Sequence, residues 1–288
     1  MDTCCICGKS DAVPYKGADN LKLVKCPGCS LIFVSPMPGP AVLKDIYEAH
    51  YYNNKNSLEM GYDNYSEEET NIRKTALKRL KYIERYAKKG KLLDVGCAFG
   101  FFMDTARKNG WDVSGIEISR VAIEHALKIG LNVTEGNIDI MDLPGEKYNL
   151  ITLWDVVEHL TKPKEVLVKL RQRLDKGGIL VLSTPDIGSI PARLTGGKWI
   201  GFKSPREHLW YFSKTTISKL LAETGFRVKK VFYAGKHVSL SMFIDRLSRY
   251  LPPAGKLNLG GVSRKISFYA NPLDISCVLA ERQEDGQS

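Results

Sequence analysis

From residue 91 onward, short apolar runs alternate with amphipathic stretches. Runs rich in Ile, Leu and Val at 91–95, 111–118, 132–135, 148–154, 178–184, 227–232 and 274–281 read as strands. Segments at 101–109, 120–129, 163–174 and 213–224 read as helices; Gly110, Gly130 and Gly225 stand at the ends of three of them, and Ser213 is placed as an N-cap. Strands alternating with helices of about ten residues imply a parallel sheet with helices on both faces. Ahead of this region, Ile72, Ala76, Leu80, Ile83 and Tyr86 fall at helical spacing and predict an amphipathic helix over 67–89. A second amphipathic helix is predicted over 238–251, with Leu240, Phe243, Ile244, Leu247 and Leu251 on one side and Arg246 and Arg249 on the other. It is inserted before the last strand. No internal repeat is present.

The first 35 residues break this pattern. They are short-run and Gly/Pro-punctuated, and five of the seven cysteines lie within the first 29 residues. Cys4-x-x-Cys7 and Cys26-x-x-Cys29 are separated by 18 residues, the spacing of a zinc ribbon in which each pair forms a knuckle and two knuckles complete a tetrahedron. Cys5 is the spare thiol. Four thiolates fill all four positions, so the predicted Zn²⁺ is structural, and it explains how a segment with so little apolar core folds. Pro36, Pro38 and Pro40 then form a stiff junction, followed at 41–66 by five tyrosines, Tyr47, Tyr51, Tyr52, Tyr62 and Tyr65.

Composition narrows the classes. The 288 residues are 43% hydrophobic and 26% charged, as in an ordinary globular chain, and no apolar run approaches the roughly 18–20 residues that cross a membrane. The start lacks the basic and apolar regions of a signal peptide, so a cytoplasmic location is expected, where thiols serve as ligands or buried groups rather than disulfides. The formal charge of +10 raises the question of nucleic acid. Residues 1–60 hold six Lys/Arg and six Asp/Glu, whereas 203–288 hold fourteen and seven, so the surplus sits in the last third. A neutral ribbon, made more negative by about two charges once four thiolates hold Zn²⁺, is a poor nucleic-acid reader.

The chemistry concentrates where the first strand of the alternating region meets its helix. Leu93-Asp94-Val95-Gly96-Cys97-Ala98-Phe99-Gly100 places two glycines where the backbone must turn sharply and approach a ligand, ahead of a helix N-terminus whose free N–H groups favour a carboxylate. Asp94 can hold a ligand ammonium. Glu117 ends the second strand, 21 residues after Gly96, where an acid accepts hydrogen bonds from both hydroxyls of a ribose. The dinucleotide pattern G-x-G-x-x-G fails, because Ala98 and Phe101 occupy its second and third glycine positions.

Residues 94–100 are similar to the D-x-G-C-G-x-G loop of the class I S-adenosylmethionine-dependent methyltransferase superfamily, with Ala98 as the one departure. The resemblance covers roughly residues 40–282 and implies a Rossmann-like α/β fold with a seven-stranded mixed sheet. It implies S-adenosylmethionine held by Asp94, Gly96, Cys97, Ala98, Phe99, Gly100, Glu117 and Ile118, with adenine near Asn137 and Ile138. Trp154-Asp155-Val156-Val157-Glu158-His159-Leu160 resembles the floor of the cofactor pocket in the ubiquinone-biosynthesis type, which places Trp154 and Asp155 at the cofactor and His159 near the acceptor. Glu207-His208-Leu209-Trp210-Tyr211-Phe212-Ser213 resembles the E-H-x-x-x-F-S segment of a branch that includes zinc-bearing sugar methyltransferases. Carried over, His208 is the candidate base with Glu207 beside it, and Tyr62, Tyr65 and Tyr211 are candidates for orienting the acceptor.

The expected organisation is a zinc ribbon over 1–35, a linker and helix over 36–90 that can close over the site, and a cofactor-binding domain over 91–282 with a helical insertion at about 238–265. The expected function is methyl transfer to an oxygen or carbon of a small molecule such as a sugar or glycan precursor. An RNA methyltransferase docking through the basic C-terminal third is the alternative.

Overall fold

A computed structural model describes residues 2–17, 22–39, 68–143, 145–202, 207–248 and 266–284. The N-terminal module is a meander of three short antiparallel strands, β1 (Val13–Tyr15), β2 (Leu23–Lys25) and β3 (Ile32–Val34), with Val24 opposite both Pro14 and Phe33. The segment 40–67, which holds the tyrosine-rich stretch, lies outside the described residues.

Helix α1 (Glu69–Ile83) leads into the alternating region: β4 (Lys91–Val95), α2 (Phe101–Lys108), β5 (Asp112–Glu117), α3 (Arg120–Lys128), β6 (Asn132–Glu135), β7 (Tyr148–Trp154), α4 (Pro163–Arg173) and β8 (Leu174–Pro185). A short helix α5 (Ile190–Thr195) and two 3-10 turns precede β9 (Trp210–Tyr211), α6 (Lys214–Glu223) and β10 (Phe226–Tyr233). The chain ends with β11 (Lys236–Ser239), α7 (Leu240–Ser248), β12 (Ser267–Ala270) and β13 (Ile275–Arg282).

Seven strands form one mixed sheet in the order β10-β13-β8-β7-β4-β5-β6. The five from β8 to β6 run parallel, and β13 is antiparallel to both neighbours. Burial follows from covering both faces: Ile179 to Thr184 of β8 are all buried, as are Leu150 to Leu153 of β7, so these strands read as near-continuous apolar runs in which Thr152, Ser183 and Thr184 are the polar members. The order reverses between β4 and β7. Loops leaving the carboxyl ends of strands on either side of such a reversal diverge and leave a crevice between them, which fixes where a ligand can sit.

The helix predicted over 238–251 begins two residues late. Val238 and Ser239 belong to β11 and pair with Phe268 and Ser267 of β12. This hairpin is anchored on α1, because the His237 N–H donates to Thr75 Oγ1 at 2.8 Å and the Ser267 hydroxyl donates to Asn71 Oδ1. Those bonds satisfy edge-strand polar groups that a helix turn there would have left without partners. Ser213 does cap α6, in a reciprocal capping box with Thr216.

Helix α1 is tied to α2 by charge as well as packing. The Asp104 side chain is 3% exposed and accepts from Arg73 of α1 at 2.5 Å and from Arg107 and Lys108 at 2.7 Å each. Burial alone would raise its pKa, but bonds from Lys108, Arg107 and Arg73 outweigh it and hold the carboxyl down at about 2. A depressed pKa contributes stability above the unfolded value of about 4, lost as pH falls through the folded value. Asp104→Asn is therefore expected to lower unfolding stability at pH 7 by about 1–3 kcal/mol in urea titration. The gap should narrow from pH 4 towards 2; an unchanged gap at pH 3 would show that charge is not its origin.

Candidate functional site

The loop after β4 is stapled to the end of β5. The Gly96 and Cys97 N–H groups both donate to the Ile116 carbonyl, at 2.8 and 3.2 Å, and the Gly100 N–H donates to the Cys97 carbonyl at 2.9 Å. Gly96 has φ +70, and a Cβ there would lie 2.6 Å from Val156 Cγ2, so only glycine lets this loop meet the segment after β7. Gly100, at φ +77, caps α2. Ala98 adopts φ +48, so the departure from the glycine pattern keeps the left-handed turn that glycine would make.

The Ala98 N–H donates to Glu117 Oε2 at 2.8 Å, and Glu117 Oε1 accepts from Ile118 N at 2.8 Å and Ser119 N at 2.9 Å. Three amides thus orient a buried carboxylate. Burial pushes its pKa up, and those N–H bonds oppose the rise. Asp94 is buried and accepts from the Thr152 hydroxyl at 2.6 Å; burial lifts its pKa to about 7, against the pull of Thr152. Phe99 lies edge-on to His125 with its carbonyl 3.0 Å from His125 Nδ1, and Cys97 is buried. Ile118, beside Glu117, is an exposed apolar side chain, a surface for a flat base. Ile138 by contrast is buried in the core, and the Asn137 side-chain oxygen accepts from the Asp139 N–H at 2.9 Å.

Past β7, Asp155 sits at φ +56. Its Oδ1 accepts from the Ser183 hydroxyl at 2.6 Å and its Oδ2 pairs with Lys236 Nζ at 3.0 Å. Burial raises its pKa, yet Lys236, Arg79 and Ser183 outweigh it and hold it well below the carboxylate range. The Trp154 ring stacks under the Arg79 guanidinium, 4.4 Å from its centre. Arg79 Nε and Nη2 are buried and have no hydrogen-bond partner among the described residues, so these donors can serve an anionic group. The sequence reading passed over Arg79. The available signal was its place on the apolar stripe of α1, three residues after Ala76 and four before Ile83.

The next turn meets the segment before β9. The Glu158 carbonyl accepts from Leu209 N at 2.9 Å and Trp210 N at 3.3 Å. This draws His208 to His159, with ring centres 4.8 Å apart and edge-on. His159 Nδ1 lies 3.0 Å from the Glu207 carbonyl and His208 Nδ1 3.1 Å from the Gly201 carbonyl. Carbonyls only accept, so each Nδ1 carries the proton and each Nε2 the lone pair. Burial lowers both pKa values, that of His159 to about 3, so both rings are neutral. Glu158 is 1% exposed, and its own backbone N–H, the Thr184 hydroxyl and Lys236 are the groups that favour its charged form. Burial, with the Asp155 charge added, pushes its pKa well above the usual range. Glu207 takes part here through its backbone. Tyr211 is buried against Phe202, its hydroxyl without a described partner, and Tyr62 and Tyr65 lie outside the described residues.

The cysteine turns repeat one geometry. Cys4 N bonds Lys9 O and Gly8 N bonds Cys4 O, just as Cys26 N bonds Leu31 O and Ser30 N bonds Cys26 O; Gly8 and Ser30 are both left-handed. The four sulfurs of Cys4, Cys7, Cys26 and Cys29 lie within 4.8 Å of one another, with Cys4–Cys29 at 3.3 Å and Cys7–Cys26 at 3.4 Å. A tetrahedral zinc with bonds of about 2.3 Å needs sulfurs about 3.8 Å apart, so the donor set fits. The module is joined to the rest through β3, which pairs with β9: Phe33 faces Trp210 and Ile32 faces Tyr211.

Comparison with known proteins follows the same lines. The family described as "Methyltransferase domain" matches residues 68–231. The ubiquinone biosynthesis O-methyltransferase of Pasteurella multocida is 31% identical over 125 residues, 37% of this chain and 52% of that protein. The enzyme of the same description from Coxiella burnetii is 33% identical over 114 residues, 37% of this chain and 49% of that one. The chain thus spans about half the length of the curated relatives it matches. Among solved structures, the plantazolicin methyltransferase in complex with SAH superposes with a TM-score of 0.55 at 17% identity, over 84% of this chain and 95% of that one. A SAM-dependent methyltransferase from Archaeoglobus fulgidus gives 0.52 at 19%, over 75% and 97%. Both likenesses are of fold.

The glycine contact is testable without any ligand. Gly96→Ala is expected to lower the melting temperature, because a left-handed alanine costs about 1–2 kcal/mol before its overlap with Val156 is added. Gly145→Ala, where a Cβ meets nothing within 4 Å, serves as the control. Equal melting temperatures for both variants would show that the approach of Val156 is not tight.

Proposed function

The chain belongs to the class I S-adenosylmethionine-dependent methyltransferases, and from that premise we propose that it transfers the sulfonium methyl group to a hydroxyl oxygen of a small molecule. One observation carries the reading. Residues 154–159 meet the cofactor loop through Val156 against Gly96 and carry His159 against His208, the Glu158 carbonyl accepting from the Leu209 and Trp210 N–H groups beside it. Donor and acceptor positions are thereby held by one short rigid segment, which is what an in-line transfer needs.

In this reading Glu117 takes the ribose hydroxyls, with Gly96, Cys97, Ala98, Phe99 and Gly100 forming the wall beside it and Ile118 and Asn137 bordering the base. Asp94 holds the amino group of the methionine part, and Arg79 its carboxylate, with Trp154 and Asp155 forming the floor. The acceptor oxygen attacks the methyl carbon as the carbon–sulfur bond breaks and its electron pair returns to sulfur. The hydroxyl proton passes to His208 Nε2, whose lone pair is directed by the Nδ1 bond to Gly201 and kept available by burial. S-adenosylmethionine supplies an already charged leaving group, so alignment and proton removal are the tasks left to the protein. The O-methyltransferase description of the curated relatives supports oxygen over carbon, and a hydroxyl-rich acceptor such as a sugar precursor fits the same chemistry. The four cysteines hold a structural Zn²⁺ with no open position.

Two measurements test this. Methyl-labelled S-adenosylmethionine incubated with the enzyme and a cell extract should deliver label to the small-metabolite fraction, and His208→Ala should reduce that by about 100-fold or more. Label in a ribonuclease-sensitive fraction would overturn the small-molecule assignment. Cofactor binding should also depend on pH. Asp94 is protonated below its pKa of about 7 and must ionise to hold an ammonium, so affinity measured by calorimetry should rise from pH 6 to 8. Asp94→Asn should bind more weakly and lose the trend; a trend that persists in that variant would remove Asp94 from the role.

A further inference from the structure

Glu158 poses a question that proton transfer does not answer. A carboxyl group that is 1% exposed, with the Thr184 hydroxyl and its own backbone N–H as its polar neighbours and the Asp155 charge against it, is costly to bury, and nothing in the base role of His208 requires it. It lies with His159 and His208 such that one ligand atom from each falls within 4.8 Å of the others. Both histidines bond a backbone carbonyl through Nδ1, to Glu207 and Gly201 respectively, which fixes the ring orientation and leaves Nε2 as the lone-pair nitrogen. That outer bond is the one that metal-bound histidines ordinarily make. The rings are neutral, the form in which imidazole ligates.

We propose that Glu158, His159 and His208 form a second metal site, which binds a borderline divalent first-row cation such as Zn²⁺, Fe²⁺ or Mn²⁺ through two imidazoles and one carboxylate. Ligand bonds of about 2.1 Å place tetrahedral donors about 3.4 Å apart, a separation below the 4.8 Å within which the three ligand atoms lie. The donor set is distinct from the four thiolates, and its two nitrogens and one oxygen favour these ions over Ca²⁺ or Mg²⁺. Three protein ligands leave positions open, unlike the closed cysteine tetrahedron. Pairing with a cation also answers the buried carboxylate, which is ionised when it ligates.

The consequence for catalysis rests on the methyltransferase reading, whereas the site itself does not. On that reading the Nε2 lone pair of His208 serves either the cation or the acceptor proton, so a bound cation and proton removal by His208 would exclude one another.

Cobalt titration of the full-length, zinc-loaded protein tests the site directly. Wild type should bind one further Co²⁺ per chain, with visible d–d bands and no sulfur-to-metal charge-transfer band. Glu158→Gln and His208→Gln should each weaken that binding by at least about 100-fold, the scale set by the 10–100-fold cost of losing even an outer partner. Zinc content held at one per chain in both variants shows that they are folded. Absence of that cobalt in wild type, or d–d bands undiminished in both variants, overturns the proposal. Because the readout is cobalt alone, it is independent of whether any methyl acceptor is found.

Discussion

The bonds from Leu209 and Trp210 to the Glu158 carbonyl are the constraint on which the rest of the site depends. They hold the strand after His208 against the turn after β7. The same strand pairs on its other side with β3 of the cysteine module, and the Trp210 indole donates to the Leu160 carbonyl at 2.7 Å, with its ring 5.4 Å from Phe33. Without these contacts β9 would be two residues with no sheet to join, and His208 would be held beside His159 only by the Nδ1 bonds of the two rings to the Gly201 and Glu207 carbonyls. The cysteine module is therefore part of the scaffold of the histidine cluster. Its metal would hold the two knuckles, the knuckles hold β3, and β3 sets β9.

The opposite wall is set by backbone conformation. Left-handed turns at Gly96, Ala98, Gly100 and Asp155 fold two loops towards each other at the reversal between β4 and β7. Each turn's own N–H donates locally, Gly96 to the Ile116 carbonyl, Gly100 to the Cys97 carbonyl, Ala98 to the Glu117 carboxylate and Asp155 to the Ser183 hydroxyl oxygen. The polar groups they leave facing the crevice are of opposite kinds. Asp94 and Glu117 are acidic, Arg79 is a cation whose Nε and Nη2 make no hydrogen bond among the described residues, and Trp154 lies between Arg79 and Phe102. A zwitterionic ligand carrying a diol satisfies all of them at once, which is why the cofactor reading draws support from the whole crevice.

Most of the central sheet was legible because each strand and helix carries its own period. β6 and β7 fall where the pattern puts them, and α2, α3 and α4 end within a residue of expectation. The elements that were missed have no period of their own. β9 is two residues long and exists only because β3 lies beside it, and β11 exists because β12 and α1 satisfy its edge. Within the site, the loop at 94–100 and Glu117 could be read because glycine and a strand-end acid have few other reasons to occur there. Arg79 could not be read from composition, since one cation on an amphipathic helix is ordinary until Trp154 is seen beneath it. The joint placement of Glu158, His159 and His208 was equally hidden, because 49 residues separate its ends and only the Glu158 carbonyl brings them together.

A crystal structure of the full-length chain with S-adenosylhomocysteine tests the central claim most directly. The account predicts both ribose hydroxyls on the Glu117 carboxylate, the amino-acid carboxylate at Arg79, and the sulfur aimed towards His208. Nucleoside bound elsewhere, with Glu117 still bonded only to the Ala98, Ile118 and Ser119 amides, would contradict it.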